Sequence, residues 1–583
     1  MVYISLGNGD FMPVLSWIGK DKVVNHHLDV PFRTIERLYS YDEKGQHAED
    51  NGSENMIIHG DNLEALKALL PKYEGKIDCI YIDPPYNTGN QKWVYNDNVN
   101  DPTIKKWLGE VVGDDDEDLS KRDKWLCMMY PRLRLLWKLL SPDGAILISI
   151  NNYAFSDLKA ICDEIFGPRN FVETFIWYIN GHTDNQDDIT SVHEYILCYA
   201  KERINLHIND VVDPNTPEDS KILNSFAENS ITKNGFKNPP SEICLPKGFP
   251  CEVEFLKMPK HEHVDKLIEE ATAQGYITRE MTRKYRISYP ARIDDMQVEN
   301  YALKEECRVY SGWMNKGKLL QFIKNGFKPI DDNGTQLKFY LSKNGVIYYR
   351  RDGRKNHYIQ SVLENMGTTE TNKYMLESMG ITFDYPKPVK LIEYLLSIFV
   401  KDKSIVLDSF AGSGTTAHAV MNLNKKGREC KYILIEMMDY AEECTAKRVK
   451  SVIDGYGSGK EHVVGLSGSF SFYRLGEPIF IDGYINESID EIKIKEYIYY
   501  TETKKPYIPS PVETTLLGVY FNTAYYFNYS KTATTILDHA FLKTVKTKAE
   551  AYVIYADICN LSESELDKYH ITFKKIPRDI RKF

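Results

Sequence analysis

The chain has 583 residues, of which 27% are charged and 42% are hydrophobic, and its formal net charge is −10. The length allows several domains, and the composition is typical of a soluble globular protein rather than a disordered or fibrous one. The net negative charge argues against a protein that binds nucleic acid through a surface that is basic overall. Any contact with a nucleic acid must therefore come from a local basic surface.

Membrane and secretory signals are not found in the sequence. No apolar run approaches the roughly 20 residues of a membrane span, and Met1 to Asp10 lacks the basic-then-apolar pattern of a signal peptide. The ten cysteines are scattered singly, without a Cys-x-x-Cys pair. We expect a cytoplasmic protein with reduced, buried thiols and neither disulfides nor a zinc site.

The first α/β signal follows a mixed, polar stretch, 1–54, that we interpret as an N-terminal arm. The short apolar run Met56 to His59 predicts a strand that ends in Gly60-Asp61. A helix should follow, because leucines recur at helical spacing at Leu63, Leu66, Leu69 and Leu70. The Asp61 carboxylate suits a hydrogen bond from a cofactor amino group, but Asp61 or Asn62 could equally be the helix N-cap.

A second predicted strand ends in an unusual tetrapeptide. The mainly apolar run from Ile77 to Ile82 reads as a buried strand, and Pro84 and Pro85 stop it because neither can donate to a β-ladder. The strand end then carries the Asp83 carboxylate and the Tyr86 ring, at the edge where open α/β sheets bind ligands. The alternative is a strand-ending turn with a surface aspartate and tyrosine.

The α/β pattern continues to about residue 202. An apolar stripe predicts a helix that Pro131 should kink or split. Pro142-Asp143-Gly144 predicts a turn, Ala145 to Ile150 a buried strand, and His193 to Tyr199 a further strand. The stripe consists of Trp125, Met129, Leu133, Leu136 and Leu140.

Residues 203–375 interrupt the pattern, with weaker apolar periodicity and frequent turn residues, and we interpret them as an inserted domain. Their most informative part is Lys343 to Tyr358, where basic residues alternate with aromatic ones, as suits a phosphate-and-base surface. The candidate DNA-binding residues are Arg350, Arg351, Arg354 and Lys355. The alternative is a solvated β-hairpin around Asp352-Gly353.

A second strong motif follows the insertion. The strand predicted for Ile405 to Asp408 leads into a loop containing Gly412 and Gly414, which opens a helix and aims backbone N–H groups at an anionic ligand. The loop lacks the Gly-Lys-Ser/Thr of a Walker A motif. A further strand, Tyr432 to Ile435, ends in Glu436, about 20 residues after the loop, where an acidic residue can accept both ribose hydroxyls. The combination indicates a nucleoside cofactor.

The last part of the chain, 470–583, is rich in Tyr, Ile and Thr and is interpreted as a small α/β module. Tyr552 to Ala556 and His570 to Ile576 look like strands. No recognisable chemistry lies in this module, so dimerisation or partner docking is assigned to it by elimination.

Together these motifs resemble a known family. Asp83-Pro84-Pro85-Tyr86 resembles the catalytic tetrapeptide of DNA amino-methyltransferases, and its place before the glycine loop resembles their β class. The likeness is closest to modification subunits of Type III restriction systems, on Gly60-Asp61-Asn62-Leu63, Asn87-Thr88-Gly89 and His193-Glu194-Tyr195. It implies a Rossmann-like α/β fold with a mixed, mainly parallel seven-stranded sheet and helices on both faces. The expected domains are the arm, a catalytic half (55–202), a target-recognition domain (203–375), a cofactor-binding half (376–469) and the C-terminal module.

The resemblance also implies a role for each matching residue. Asp83, Pro84, Pro85 and Tyr86 would hold a flipped-out adenine, whose poorly nucleophilic amino group is activated by the Asp83 carboxylate and the Pro84 carbonyl. S-adenosylmethionine would be the cofactor, and no metal is expected. The implied cofactor-binding residues are Asp61, Lys387, Asp408, Phe410, Ala411, Gly412, Gly414, Thr415 and Glu436.

The implied activity is site-specific methylation of adenine N6 in double-stranded DNA, because aspartate rather than serine opens the tetrapeptide. Cytosine-N4 or RNA methylation remains open, as does a chain that mainly reads sequence for a restriction complex. The expected partners are DNA, a second copy of the chain and a separate helicase-nuclease subunit, since the sequence has no Walker A loop or nuclease signature. No membrane partner is expected.

Overall fold

A computed structural model of the chain describes residues 2–5, 11–86, 118–179, 191–332, 334–353 and 358–578. The predictions made for Asn87 to Gly89, Arg354 and Lys355 lie outside these residues. Two compact units are present: one contains Met1–Asn209 and Gln360–Phe583, and the other contains Asp210–Ile359. Within the described residues, no helix is both long and apolar enough to cross a membrane.

One large mixed sheet organises the first unit. Its strands are β1 (Arg33–Asp42), β2 (Gly45–His47), β3 (Met56–His59), β4 (Ile77–Ile82), β5 (Leu140–Ile150), β6 (Phe171–Tyr178), β7 (His193–Ala200), β8 (Val362–Leu363), β9 (Ile405–Asp408), β10 (Lys431–Glu436) and β11 (Ser469–Pro478). They lie in the order β8-β6-β7-β5-β4-β9-β10-β3-β11-β1-β2. The six strands from β5 to β11 in this order are mutually parallel, and β7 runs antiparallel to both of its neighbours.

Helices cover the two faces of this sheet. They are α1 (Asn62–Tyr73), α2 (Asp118–Leu139), α3 (Phe155–Phe166), α4 (Thr369–Ser378), α5 (Val389–Phe399), α6 (Thr415–Lys425) and α7 (Lys447–Asp454). Helices α1, α2 and α3 pack together as one group, and α5, α6 and α7 as another. Side chains of β4 alternate between the faces, so that Ile80 and Ile82 join the core beneath α1 and α2 while Cys79 and Tyr81 point the other way.

The strand register brings the two sequence motifs to one edge. Strand β4 pairs in parallel with β9, opposing Ile80 to Leu407, although more than 300 residues separate them in sequence. Strands β10 and β3 continue the parallel run, with Glu436 opposite His59. Since parallel strands end at the same edge, Asp83, the glycine loop, Glu436 and Asp61 all follow from neighbouring strand ends.

The mixed α/β class is confirmed, but the described sheet has eleven strands rather than the expected seven. The difference arises at the edges, where β1, β2 and β11 extend one side and β8 pairs with β6 on the other. The added strands satisfy backbone groups at the edges of the sheet that would otherwise be left unpaired.

Two local expectations around α2 and β5 differ from the structure. Helix α2 continues through Pro131, so the expected split was wrong, because the residues on both sides of the proline are buried in the core, including Trp125, Leu126 and Leu133. The alternative, a kink at Pro131, stays a prediction. The turn expected at Pro142-Asp143-Gly144 lies inside β5, where the pairing with β4 slips between Leu140 and Ala145. This irregularity is a bulge, which accommodates the extra residues without ending the strand.

The remaining elements form smaller layers. The second unit contains helices Val264–Gln274, Arg279–Tyr285 and Lys316–Lys324 and a four-stranded antiparallel sheet of Phe226–Ser230, Ile347–Asp352, Thr335–Leu341 and Ile330–Asp332. The C-terminal residues form a separate sheet of Leu516–Tyr520, Thr523–Phe527, Ala551–Ala556 and Ile571–Lys575, with helices Glu491–Thr503 and Glu563–Lys568. The expectation of buried thiols fails at Cys244, which is exposed.

A side-chain hydrogen bond joins the strands that precede the two motifs. The carboxylate of Asp78, on β4, accepts the backbone N–H of Ile405 at 2.7 Å. Burial raises the pKa of Asp78, and the accepted N–H group opposes that rise. The bond therefore ties β4 to the first residue of β9.

We predict that Asp78→Ala will lower the stability of the chain. The substitution leaves the Ile405 N–H without its acceptor, which costs about 1–3 kcal/mol. Asp78→Asn keeps an acceptor of the same size and should lose less. Thermal denaturation followed by circular dichroism measures both variants, and equal melting temperatures for Asp78→Ala and the unmodified chain would contradict the prediction.

Candidate active site

The tetrapeptide after β4 is fixed by the neighbouring helix. The Trp125 indole N–H, on α2, donates to the Pro85 carbonyl at 2.7 Å. Trp125 is fully buried and Pro84 is buried beside it. The restricted φ angles of the prolines and this bond together limit the conformations of the turn that carries Asp83.

Four side chains form a closed ring at this strand end. The Tyr86 hydroxyl lies 2.8 Å from Asp83 Oδ1 and 2.9 Å from Glu194 Oε2. The Lys387 ammonium lies 3.1 Å from Asp83 Oδ2 and 3.2 Å from the same Glu194 oxygen. It also lies over the Tyr86 ring, 4.8 Å from the centroid. The ring thus contains two carboxylates, one ammonium and one hydroxyl.

The electrostatics of the ring favour the charged forms of its ion pairs. The Lys387 side chain is only 11% exposed. Burial disfavours its charge, but Asp83 and Glu194 outweigh that effect and raise the pKa of Lys387. Burial and the same two carboxylates raise the pKa of Tyr86 well above its usual value, so the phenol stays protonated and acts as a hydrogen-bond donor.

Lys387 also contacts the second motif. Its backbone carbonyl accepts a hydrogen bond from the Thr415 hydroxyl, at the first residue of α6, at 3.3 Å. Its side chain meanwhile pairs with Asp83. A single residue therefore connects the tetrapeptide to the glycine loop, and the two motifs lie in one site.

The glycine loop requires glycine at two positions. Gly412 and Gly414 have φ angles of 52° and 80°, in the left-handed region that favours glycine. A Cβ atom at Gly414 would lie 3.2 Å from the carbonyl oxygen of Thr445. The Thr445 hydroxyl donates to the Gly412 carbonyl at 2.6 Å, from the π-helical turn Glu442–Ala446 that precedes α7.

A buried arginine supports the same loop from α7. Arg448 is fully buried, and its Nη1 donates to the hydroxyl oxygens of Ser413 at 2.8 Å and Thr415 at 2.7 Å. Its Nε and Nη2 atoms are buried without a hydrogen-bond partner in the described part of the chain. Burial lowers the pKa of Arg448 to about 10. The guanidinium orients both hydroxyl groups as hydrogen-bond donors towards other atoms.

Two buried carboxylates shape the loop from inside. Asp408 accepts the backbone N–H of Phe410 at 3.0 Å and the hydroxyl of Thr416 at 2.5 Å. Glu436 accepts the backbone N–H groups of Gly412 at 2.7 Å and Met438 at 3.0 Å. Burial raises the pKa of both carboxyl groups to about 7. Both residues therefore hold the loop through hydrogen bonds, and their contacts with a cofactor stay predictions.

Asp61 is the N-cap of α1, which is one of the two roles that the sequence allows for this residue. Its Oδ1 accepts the N–H groups of Leu63 and Glu64, at 2.9 and 3.1 Å. Among the described residues its Oδ2 is buried without a hydrogen-bond partner, and it forms an ion pair with the guanidinium of Arg132 at 3.5 Å. The capping role leaves this second oxygen available as an acceptor, so the predicted contact with a cofactor amino group is compatible with the structure.

The site residues fit a nucleoside cofactor with an amino-acid tail. The orphaned Asp61 oxygen suits an amino donor, and the Glu436 carboxylate suits hydroxyl donors. The first N–H groups of α6 have no intrahelical acceptor and suit a carboxylate. Phe410 and Ala411 are buried at the start of the loop. S-adenosylmethionine has all three of these complementary groups.

The basic residues predicted to contact DNA lie in the second unit. Arg350 forms an ion pair with Asp352 at 2.7 Å and stacks on Phe226, 3.7 Å from the ring centroid. Arg351 is ion-paired with Asp332. The alternative hairpin around Asp352-Gly353 was wrong, since its turn lies between Ser342 and Val346 and Asp352 ends the second strand.

Several residues of the site were missed from the sequence. Trp125, Glu194, Arg132, Thr445 and Arg448 received no role, although His193-Glu194-Tyr195 was noted as part of the family likeness. Their partners lie from 33 to 193 residues away in the chain, as for Thr445 with Gly412 and Glu194 with Lys387. No local spacing could have identified these pairs, because the strand register alone brings them together.

The fold is of the Rossmann-like class, with a carboxylate and an aromatic ring at the same sheet edge as a glycine loop whose groups suit a nucleoside cofactor. The chain belongs to the DNA methylase family, whose model matches residues 77–448. This membership confirms the predicted enzyme class, a DNA methyltransferase that uses S-adenosylmethionine.

The chain is similar to modification subunits of Type III restriction-modification enzymes. It is 28% identical to the EcoP15I Mod subunit of Escherichia coli, over 76% of this chain and 67% of that protein. It is 30% identical to the EcoPI Mod subunit of Escherichia phage P1, over 73% of this chain and 63% of that protein. The chain therefore spans about two thirds of the length of these relatives. They confirm the resemblance noted in the sequence.

Among solved structures, the chain matches the cytosine-N4-specific PvuII DNA methyltransferase. The match covers 68% of this chain and 86% of that one, with 14% identity and a TM-score of 0.29.

We predict that cofactor affinity will rise with pH because of Glu436. Its pKa of about 7 leaves the carboxyl largely protonated below pH 7, and only the ionised form accepts hydrogen bonds from both ribose hydroxyls with full strength. The association constant should increase as pH rises through about 7, by at most about tenfold per pH unit. Isothermal titration with S-adenosylmethionine measures this.

Glu436→Gln is the control for that measurement. The amide of this variant does not ionise. The variant should therefore bind S-adenosylmethionine more weakly, and its affinity should depend less on pH. Titration of the cofactor itself contributes equally to both proteins. The Glu436 charge is the smallest of the causes that raise the pKa of Asp408, so the difference between the two pH profiles reports mainly the loss of the Glu436 charge. Parallel pH profiles would exclude Glu436 as the ribose acceptor.

Proposed function

We propose that this DNA methylase transfers a methyl group from S-adenosylmethionine to the N6 atom of a flipped-out adenine in a specific double-stranded DNA sequence. We further propose that it is the modification subunit of a Type III restriction-modification system. The observation that supports this most directly is Asp83, a carboxylate oriented at the strand end beside the glycine loop and connected to it through Lys387.

The chemistry matches the residues of the tetrapeptide. The cofactor supplies a methyl group bound to a sulfonium ion. An adenine amino group is a poor nucleophile because its lone pair is delocalised into the ring. Hydrogen bonds from its two N–H groups to the Asp83 carboxylate and the Pro84 carbonyl would localise the lone pair on N6. The N6–CH₃ bond then forms as the S–CH₃ bond breaks, and one N6 proton leaves towards Asp83.

Tyr86 supports the extruded base. Its ring is held at the mouth of the site by the hydroxyl contacts with Asp83 and Glu194. An enzyme that acts on a base must remove it from the stack, and an aromatic face compensates part of the stacking energy that the base gives up. Tyr86 therefore offers both a stacking surface and a fixed position relative to the carboxylate.

Adenine is favoured over cytosine by the opening aspartate of the tetrapeptide and by the similarity to Mod subunits. Cytosine-N4 methylation is the alternative, because both reactions activate an exocyclic amino group in the same manner. Digesting methylated DNA and identifying the modified nucleoside by mass spectrometry distinguishes them.

The proposed partners follow from the Type III assignment. A separate helicase-nuclease subunit would supply translocation and cleavage, and a second copy of this chain would complete a modification dimer. The proposed place of action is the cytoplasm, where the DNA substrate lies. Co-purification with a helicase-nuclease supports the restriction role, whereas a solitary enzyme would indicate an epigenetic or protective one.

The first prediction concerns Asp83. Asp83→Ala should reduce methyl transfer by at least about 100-fold, because the amino group loses its main acceptor. Cofactor affinity should fall far less, by about threefold for the loss of one nearby negative charge, since Lys387 keeps its pair with Glu194. Transfer of labelled methyl to genomic DNA and calorimetric cofactor binding measure the two effects. Asp567→Ala, at an exposed aspartate of the C-terminal module, is the control, and normal methylation by Asp83→Ala would overturn the proposed function.

The second prediction concerns the basic stretch. Replacing Arg350, Arg351 and Arg354 with alanine should weaken DNA binding and reduce its salt dependence, by about 0.9 in the logarithmic slope for each phosphate that is no longer neutralised. Fluorescence anisotropy at several salt concentrations measures this. Arg308→Ala, the control, removes an arginine that is likewise paired with an aspartate, Asp294, in the same unit. If the triple variant binds DNA like the unmodified chain, the stretch does not contact DNA.

A further inference from the structure

Glu194 contacts both groups that engage the catalytic carboxylate. It lies at the second residue of β7, and its Oε2 is 2.9 Å from the Tyr86 hydroxyl and 3.2 Å from the Lys387 ammonium. These two groups also contact the two oxygens of Asp83, at 2.8 and 3.1 Å. Glu194 therefore duplicates, within a few tenths of an ångström, the contacts that Asp83 makes.

The hydroxyl cannot satisfy both carboxylates at once. Tyr86 has a single phenolic proton, which it can donate to Asp83 or to Glu194 but not to both. The ammonium of Lys387 has three N–H groups and lies between the two acids at almost equal distances. The ring therefore has two arrangements of similar geometry, one centred on Asp83 and one on Glu194.

The second arrangement favours methyl transfer. Both oxygens of Asp83 are engaged in the structure, Oδ1 by Tyr86 and Oδ2 by Lys387. Each oxygen keeps a further lone pair for an incoming amino group, but the charge of the paired ammonium makes the carboxylate a weaker acceptor and a weaker base. Without another acid, the release of Asp83 would leave the Lys387 ammonium largely buried and unpaired.

The charges of the reacting groups give an independent reason for a second acid. The amino nitrogen must approach the methyl group to about 3–3.5 Å, so the sulfonium ion comes close to the side chains that hold the base. Two cations, the sulfonium and Lys387, then face two carboxylates, Asp83 and Glu194. Removal of one carboxylate would leave an excess positive charge where positive charge passes from sulfur to nitrogen.

We propose that Glu194 is a positioning residue that accepts the Lys387 ammonium and the Tyr86 hydroxyl when the target base engages Asp83. In this role it leaves the Asp83 carboxylate available to the amino group and keeps the site electrically neutral when the cofactor is bound. Glu194 acts through its neighbours and does not touch the reacting atoms. The inference rests on the proposed function, since it concerns the same amino-group chemistry.

The first test is Glu194→Gln. The amide can still accept the Tyr86 hydroxyl but carries no charge, so Lys387 remains on Asp83. The rate constant kcat should fall by about tenfold or more. Glu173→Gln, at an exposed glutamate on the neighbouring strand β6, is the matched control and should behave like the unmodified chain.

The second readout does not depend on catalysis. S-adenosylmethionine carries the sulfonium charge, whereas S-adenosylhomocysteine is a neutral thioether of nearly the same shape. Loss of the Glu194 charge should weaken binding of the sulfonium compound more than that of the thioether, changing the ratio of their Kd values by about threefold or more. Calorimetry with both compounds measures this ratio for Glu194→Gln and Glu173→Gln. An unchanged ratio would overturn the charge argument.

A double-mutant cycle separates this role from a purely structural one. In a Lys387→Met background there is no ammonium to draw away from Asp83, so Glu194→Gln should change single-turnover methylation much less than it does in the unmodified chain. An equal effect in both backgrounds would mean that Glu194 only supports the fold, and it would overturn the proposal. Normal methylation by Asp83→Ala would overturn the proposed function instead, so the two failures are distinguishable.

Discussion

The contact between Lys387 and Asp83 is the constraint on which the rest of the site depends. A largely buried ammonium needs anionic partners, and the structure supplies two of them on different strands, Asp83 after β4 and Glu194 at the start of β7. The backbone of the same lysine contacts Thr415 at the start of α6. Satisfying this one charge therefore fixes the positions of three segments that are far apart in sequence, and it places the predicted base-binding and cofactor-binding motifs in a common site.

The carboxylates of the site divide into two kinds. Asp408 and Glu436 are buried, accept backbone N–H groups and hold the glycine loop in its left-handed conformation. Asp83 and Glu194 are partly exposed and pair with a movable ammonium and a hydroxyl. The first kind gives the rigid geometry that preorganised catalysis needs, and the second provides a local rearrangement as substrate binds. Arg448 and Thr445 reinforce the rigid part from behind the loop.

The local elements of the methylase core were predictable because their signals are local. The strand before Asp83, the helix after Asp61 and the glycine loop before α6 all follow from apolar periodicity, proline and glycine. Where the local sequence preference and the tertiary packing favour different backbone structures, the structure follows the packing. Pro131 lies within a continuous helix because burial of this helix stabilises it more than the local preference opposes it. Pro142-Asp143-Gly144 lies at a bulge within a strand, because the strand residues on both sides, Leu140 and Ala145, are buried in the sheet.

The sequence by itself determined the α/β class, the order of the two motifs and the candidate groups for the proposed chemistry. Two prolines after a carboxylate restrict the backbone wherever they occur, and glycines allow the positive φ angles of a strand-to-helix turn. Only the tertiary structure decided which groups are partners: Glu194 with Lys387, Trp125 with the Pro85 carbonyl, and Arg448 with Ser413. The physical reason is that such contacts depend on strand register across the sheet, which pairs residues irrespective of their separation along the chain.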